Sequence, residues 1–162
     1  MNNIENIIIK PAGEMDRDEI MKINHYVHEW HVQNHPDFFN DAGEDDLGEY
    51  FRNSLKDERF INLFAWIDNQ IVGYIQAEKR LLRGTPFTKP SRTMSINIII
   101  VLPEYRKKGV GEKLYMDILK QAKETSFNRI EMNYWEGNEF APAFFKKMGF
   151  KPIRHFMYQN IE

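Results

Sequence analysis

Between Ile96 and Gly111 the chain reads INIIIVLPEYRKKGVG, and few architectures accommodate that order of residues. Ile96, Ile98, Ile99, Ile100 and Val101 crowd β-branched side chains together, which selects a strand shielded on both faces. Pro103 lacks the amide that would continue a ladder, so the strand ends there. The consecutive cations Arg106, Lys107 and Lys108 follow, and Gly109 and Gly111 then free the backbone of side-chain bulk. Beyond them Val110, Leu114, Ile118 and Ala122 recur every four residues, which predicts an amphipathic helix over 109–126 lying against the sheet. Unpaired amides and the dipole at a helix start, with cations beside them, suit an anion. A pyrophosphate would use several of those amides at once, and a side chain at Gly111 would obstruct it. The eight-residue Walker pattern and the dinucleotide GxGxxG spacing are both absent.

Bulk properties narrow the classes. A chain of 162 residues suits one domain, 1–162, able to bury its core without crosslinks. With no cysteine, disulfides, thiolate metal sites and cysteine nucleophiles are excluded. A formal charge of −2 gives no global attraction to nucleic acid, and three adjacent cations are too narrow a basic surface for it. No apolar stretch approaches the roughly 20 residues of a membrane span, and the opening MNNIEN lacks signal-peptide character, so a cytoplasmic location without membrane attachment is expected.

In chain order, residues 4–10 read as a strand closed by Pro11-Ala12-Gly13. Asp16 with Glu19 resembles a capping box, opening a helix on Ile20, Ile23, Val27 and Trp30 that ends near Asn34. His25, His28, His31 and His35 share helical spacing, but Pro36 disturbs the last and no carboxylate completes a ligand set, so no metal is expected. A loop carrying Phe38 and Phe39 leads to a second helix over 44–56. Strands over 60–67 and 71–80 flank Asp68-Asn69-Gln70, a hairpin signature. Alternation sets Tyr74, Gln76 and Glu78 on one face, with Ile75 and Ala77 on the other. After the glycine helix come a strand over 129–135, a short helix over 139–148 and a last strand over 150–159. The order βααβββαβαβ predicts a mixed α/β fold, with a mixed, mostly antiparallel sheet between helices on both faces.

These residues resemble the GCN5-related N-acetyltransferases, whose acetyl-coenzyme A signature is a hydrophobic strand followed by V-x-P-x-Y-R-x-x-G-x-G at a helix start. VLPEYRKKGVG matches each fixed position. A second family block, N-x-x-A-x-x-F-Y-x-K-x-G-F, stands here as Asn138 to Phe150 with one fixed position changed. The resemblance implies acetyl-coenzyme A, or coenzyme A, as co-substrate. Backbone groups at Ile99 and Val101 would meet the pantetheine and thioester. Arg106, Lys107, Lys108, Gly109, Val110 and Gly111 would hold the pyrophosphate, Asn138 would bond the pantetheine, and Phe145 would lie near the sulfur. Acceptor specificity in this family lies in the early helical part, where Trp30, His31 and Phe38 are the candidates. The acceptor would be an amine on a small molecule, peptide or protein, and dimers are common among such proteins.

Two departures bear on chemistry. Where relatives often carry a glutamate base this chain has Asn97, and where they often carry a tyrosine acid it has Phe145. An amine with a pKa near 10.4 costs roughly 4–5 kcal/mol to deprotonate at pH 7, so some group must take that proton. The expected arrangement is a water oriented by Asn97 with Glu78 as proton acceptor, and Tyr134 as the candidate acid. A catalytically weak acyl-coenzyme A binder, acting as a sensor or interaction module, is the alternative.

Overall fold

The computed structural model describes residues 6–41 and 43–161. Five strands form one sheet in chain order: β1 (Ile8–Pro11), β2 (Phe60–Ile67), β3 (Gln70–Leu82), β4 (Ser91–Val101) and β5 (Arg129–Met132). The first four pair antiparallel and β5 joins β4 in parallel. The helices are α1 (Arg17–Asn34), α2 (Glu44–Lys56), α3 (Val110–Glu124) and α4 (Ala141–Lys147). The mixed, mostly antiparallel sheet expected from the sequence is therefore present.

The β2–β3 turn has Asp68 and Asn69 at φ 47° and 63°, positions that short polar side chains tolerate, so the hairpin forms where the residues indicated. One apolar cluster joins Val110, Leu114, Ile118 and Ala122 of α3 to Ile75, Ala77, Met94 and Ile96. A second joins Ile20 and Ile23 of α1 and Phe51 of α2 to Phe64, Tyr74 and Ile100. Helices thus cover both faces, with Tyr74 on the α1/α2 side and Ile75 and Ala77 on the α3 side, as the alternation required.

Several boundaries differ. The Asp16 carboxylate accepts the Gly13 amide at 2.7 Å, so it closes the turn before α1, while Glu19 pairs with Lys22 instead of completing a box with Asp16. β5 ends at Met132, leaving Tyr134 and Trp135 in a loop and not on the strand. The run 96–101 is only partly enclosed: Ile96 and Ile100 are buried, Asn97 is exposed, and Ile98, Ile99 and Val101 are half-buried. Residues 150–159 form no strand. Phe150 packs between Tyr115 and Phe145, at ring separations of 5.5 and 5.3 Å, but residues 151–161 run without a ladder and lie exposed. Pro152 removes one donor there, and the four-residue β5 offers a short template. Among the described residues no helix is long and apolar enough to cross a membrane.

Candidate active site

The centre of the site is an irregularity in β4. Gln76 of β3 faces Ile98 and Ala77 faces Ile96, so Asn97 is an extra residue in the ladder, a bulge. On its other side β4 pairs with β5 only from Thr93↔Arg129 to Ile96↔Met132. Past that point the strands part, and residues 97–101 have no β5 partner. A wedge opens where one wall is the unpaired edge of β4, including Ile99 and Val101, and the other is the 133–140 loop. Backbone donors and acceptors on such an edge can bond an extended, amide-containing chain as another strand would.

The wedge leads to the start of α3. The Pro103–Tyr105 turn breaks the strand, and Gly109 caps α3 with φ 90°, a left-handed conformation costly for any residue with a Cβ. The first bond into the helix is Lys113 N–H to Gly109 O at 3.0 Å, which leaves the amides of Val110, Gly111 and Glu112 without intrahelical acceptors. Arg106 Nε donates to Val101 O at 3.1 Å while its guanidinium lies 5.0 Å from the Phe140 ring centroid. That double hold fixes one cation between wedge and cradle. Lys108 sits 5.4 Å from the Tyr105 ring, and Lys107 is exposed. A Cβ on Gly111 would stand 3.2 Å from the Phe144 ring of α4, so this glycine is needed for helix approach as well as for an open cradle. The unpaired edge and the free amides fit the two polar parts of acetyl-coenzyme A, an amide-bearing arm and a pyrophosphate.

Asn138 and Phe145 border the same region. The Asn138 side-chain oxygen accepts the Phe140 and Ala141 amides at 3.2 and 3.1 Å, starting α4 and leaving Nδ2 for a ligand. Phe145 is buried, and the Tyr134 ring lies parallel to it at 6.4 Å. Among the described residues, the phenol whose ring pairs with Phe145 is thus contributed by the loop.

On the α1/α2 side of the bulge is a polar row. Ser95 Oγ donates to Asn97 Oδ1 at 3.3 Å, and Glu78 stands opposite Ser95 in register. Glu78 accepts Arg80 Nε and NH2 at 2.8 and 2.7 Å, and its side chain is 19% exposed. Tyr50 of α2 donates to Gln76 Oε1 at 2.9 Å, and fully buried Gln76 reaches Ser54 Oγ, Asn62 Oδ1 and the Tyr74 hydroxyl at 3.1–3.3 Å. Burial and then the Glu78 charge push the Tyr50 pKa up, which keeps its hydroxyl a donor. Tyr50 and Arg80 did not emerge from sequence reasoning. Tyr50 follows an apolar stripe on a helix, and only the long-range pairing of α2 with β3 gives it a partner.

His31 and Phe38 meet at a residue the sequence did not single out, while Trp30 lies edge-on to His31 and His35 at 5.3 and 5.5 Å. Trp135 stands 4.8 to 5.3 Å from Phe39, His35 and Phe38, and 6.4 Å from His31, which stacks on Phe39 at 4.4 Å. His35 Nε2 and the Glu136 carbonyl lie 3.1 Å apart. This knot ties the α1–α2 connection to the loop that carries Tyr134 and Asn138. Burial, then the neighbouring His35 and His28, lowers the His31 pKa to about 4, so the knot holds a neutral imidazole at neutral pH. His25 pairs with Glu29 at 3.1 Å, away from the knot, and among the described residues no group of three His, Asp or Glu side chains is arranged to hold a metal ion.

Comparison with known proteins agrees with this geometry. An N-alpha-acetyltransferase of Sulfurisphaera tokodaii is 27% identical over 152 residues, covering 90% of this chain and 81% of that protein. The crystal structure of a tetramutant of the BH1408 protein from Bacillus halodurans superposes with a TM-score of 0.86 at 24% identity, covering 95% of this chain and 99% of that one. A predicted acetyltransferase from Clostridium acetobutylicum, solved with acetyl-CoA, superposes with a TM-score of 0.75 at 18% identity, covering 96% of each chain. The sequence model of the Acetyltransferase (GNAT) family matches residues 24–150, most of the chain, and the protein therefore belongs to that family.

Proposed function

We propose that the protein transfers the acetyl group of acetyl-coenzyme A to an amine by direct attack on the thioester. The observation that carries this is the bulge at Asn97 beside an unpaired β4 edge that ends at the free amides of α3. Edge amides near Ile99 would bond the pantetheine and stabilise negative charge developing on the acetyl oxygen, the work of an oxyanion hole. The Val110, Gly111 and Glu112 amides with Arg106, Lys107 and Lys108 would hold the pyrophosphate. The resident Asn138 Nδ2 would donate to the pantetheine.

For the proton transfers, Asn97 and Ser95 would hold a water that relays the amine proton to the Glu78 carboxylate. The new C–N bond forms as the C–S bond breaks, and the Tyr134 hydroxyl, beside Phe145, would protonate the departing thiolate. Acid and base groups of this kind contribute about 10²–10⁴-fold each, and positioning supplies much of the remainder. Trp30, His31 and Phe38 would shape the acceptor side through the Trp135 knot.

Because Arg80 already engages Glu78, a second reading has a specific observation behind it: a binder of acyl-coenzyme A with weak turnover. Free-thiol release from acetyl-coenzyme A, measured with polyamines, amino acids, aminoglycosides and peptides, separates the two. Acetyl transfer predicts acceptor-dependent release that Glu78→Gln slows, most strongly at the lower end of pH 6 to 9. Tight coenzyme binding with no acceptor-dependent release would favour the binder, and full turnover of Glu78→Gln across that range would remove Glu78 as the base.

A further inference from the structure

Past the Asn97 bulge the sheet carries an ordered set of charges that the transfer chemistry uses only in part. Register aligns Glu78 of β3, Ser95 of β4 and Glu131 of β5 in one row across three strands. The next row, farther from the bulge, is Arg80, Thr93 and Arg129. All six side chains stand on the α1/α2 side of the sheet, because the intervening Ala77, Met94, Ile96, Ile130 and Met132 belong to the cluster under α3. Two residues of strand, about 7 Å, separate the acid row from the cation row.

The charges pair along each outer strand of this trio, Arg80 with Glu78 at 2.7 Å and Arg129 with Glu131 at 3.1 Å, both with the acid toward the bulge. Neither pairing exhausts its groups. Arg80 Nε and Nη2 bond the same Glu78 oxygen, Oε2, and among the described residues Glu78 Oε1 and Arg80 Nη1 have no hydrogen-bond partner. Arg129 Nη1 donates to Glu131 Oε1, and among the described residues Arg129 Nη2 and Glu131 Oε2 are also without one. The Arg80 and Arg129 side chains are 44% and 54% exposed, so solvent reaches both guanidiniums, while Thr93 and Ser95 form a buried floor between them. Exposed ion pairs add little to stability, so folding alone gives little reason for two of the same polarity flanking one strand.

We propose that this two-row platform selects a small amino acid as acceptor: an amine carrying a carboxylate within about 7 Å of its nitrogen. The inference rests on the acetyl-transfer reading and names the acceptor class of that same site. The ammonium enters over the acid row, between Glu78 and Asn97, and the carboxylate takes the unused Arg80 and Arg129 donors, a charge-assisted hold that a neutral carboxamide cannot reproduce. That polarity turns the nitrogen toward the thioester. As the C–N bond forms and the C–S bond breaks, the ammonium loses two protons: one leaves through Glu78 to water, and the other balances the proton that Tyr134 gives the thiolate. The N-acetyl product keeps its carboxylate but has no charge for the acid row, which favours its release. Arg80 is then a specificity residue whose contact with Glu78 leaves that carboxylate one oxygen for the amine.

Matched acceptors test this. Thiol release from acetyl-coenzyme A is measured with glycine, β-alanine, 4-aminobutyrate and 5-aminopentanoate, each beside its carboxamide. At least one acid should exceed its amide by roughly tenfold or more in kcat/KM, with the difference in KM. Arg80→Gln and Arg129→Gln should each cut that ratio by roughly fivefold or more, whereas Arg80→Lys, which keeps the charge, should retain most of it. A loss of fold would lower acid and amide together and leave the ratio in place. If no acceptor supports release, calorimetric titration of the same pairs into the protein with coenzyme A present reads the preference without turnover. Tighter binding of the acid, abolished by Arg80→Gln, would then sustain the platform and count against acetyl transfer alone. Equal kcat/KM for every acid and its amide, a ratio unmoved by Arg80→Gln, or, without turnover, no preference for the acid in the titration would each overturn the proposal.

Discussion

Replacing Gly109 by alanine tests the phosphate cradle through its backbone alone. Gly109 holds φ 90° and ψ −4° as the cap of α3, and a left-handed conformation costs an L-residue about 1–2 kcal/mol. If Gly109→Ala keeps the turn, the whole cost appears as lost stability, and for a domain of this size each kcal/mol lowers Tm by roughly 2–4 °C. The expected fall is therefore roughly 2–8 °C. If the strain relaxes by rotation about φ, the amides of Gly109 and Val110 turn away from the anion, and a similar energy becomes about 5–30-fold weaker binding of coenzyme A. Gly149→Ala is the matched control: φ is 86°, no atom lies within 4 Å of the added Cβ, and the position lies beyond α4. Calorimetric titration with coenzyme A, beside thermal melts, distinguishes the cases. Gly149→Ala should lower Tm and leave affinity intact, whereas the same strain at Gly109→Ala should appear as a lowered Tm, as weaker coenzyme A binding, or divided between the two. Wild-type Tm together with wild-type affinity for Gly109→Ala, or weaker binding by Gly149→Ala equal to that of Gly109→Ala, would refute the reasoning.

Three further outcomes follow from the same geometry. Tyr134→Phe should lower kcat by roughly 10²-fold with little change in KM for acetyl-coenzyme A, and unchanged steady-state kinetics would remove it as the acid. Tyr50→Phe strips buried Gln76 of its hydroxyl donor and should cost about 1–3 kcal/mol in denaturant unfolding, with no loss marking that network as slack. His31 titrates near 4 in the folded chain against its ordinary 6.5, so between those values the unfolded chain binds more protons. The stability this contributes is complete above about pH 6.5 and is lost as pH falls toward 4. For a half-buried ring partly screened by solvent the loss is on the order of 1–2 kcal/mol. Melts from pH 7 to 4 should show that decline, and His31→Phe should flatten it.

Much of the scaffold is written in local patterns. The bounds of α2, the Asp68-Asn69 turn and the stripe of α3 follow from spacing and turn chemistry, and the polar face of β3 follows from its alternation. What local patterns lack is pairing. Asn97 was notable for the side chain it replaces in relatives, but its position in a bulge depends on the register of β3 against β4. Trp135 has the composition of a strand residue and becomes the hub of the aromatic knot because β5 ends three residues earlier. The segment after Phe150 has residues suited to a strand, but strand propensity does not supply pairing, and the outer strand β5 is a template of only four residues. The Tyr50–Gln76–Ser54–Asn62 network likewise joins residues far apart in sequence, each ordinary in its own segment.

The central claim is that β4 and the start of α3 form one continuous coenzyme site. Amide hydrogen exchange with and without acetyl-coenzyme A measures it directly. Exchange should slow at residues 97–101 and 107–112 together, while the exposed hairpin residues 83–90 stay unchanged. Protection confined to one of the two segments, or absent from both at saturating acetyl-coenzyme A, would contradict the account.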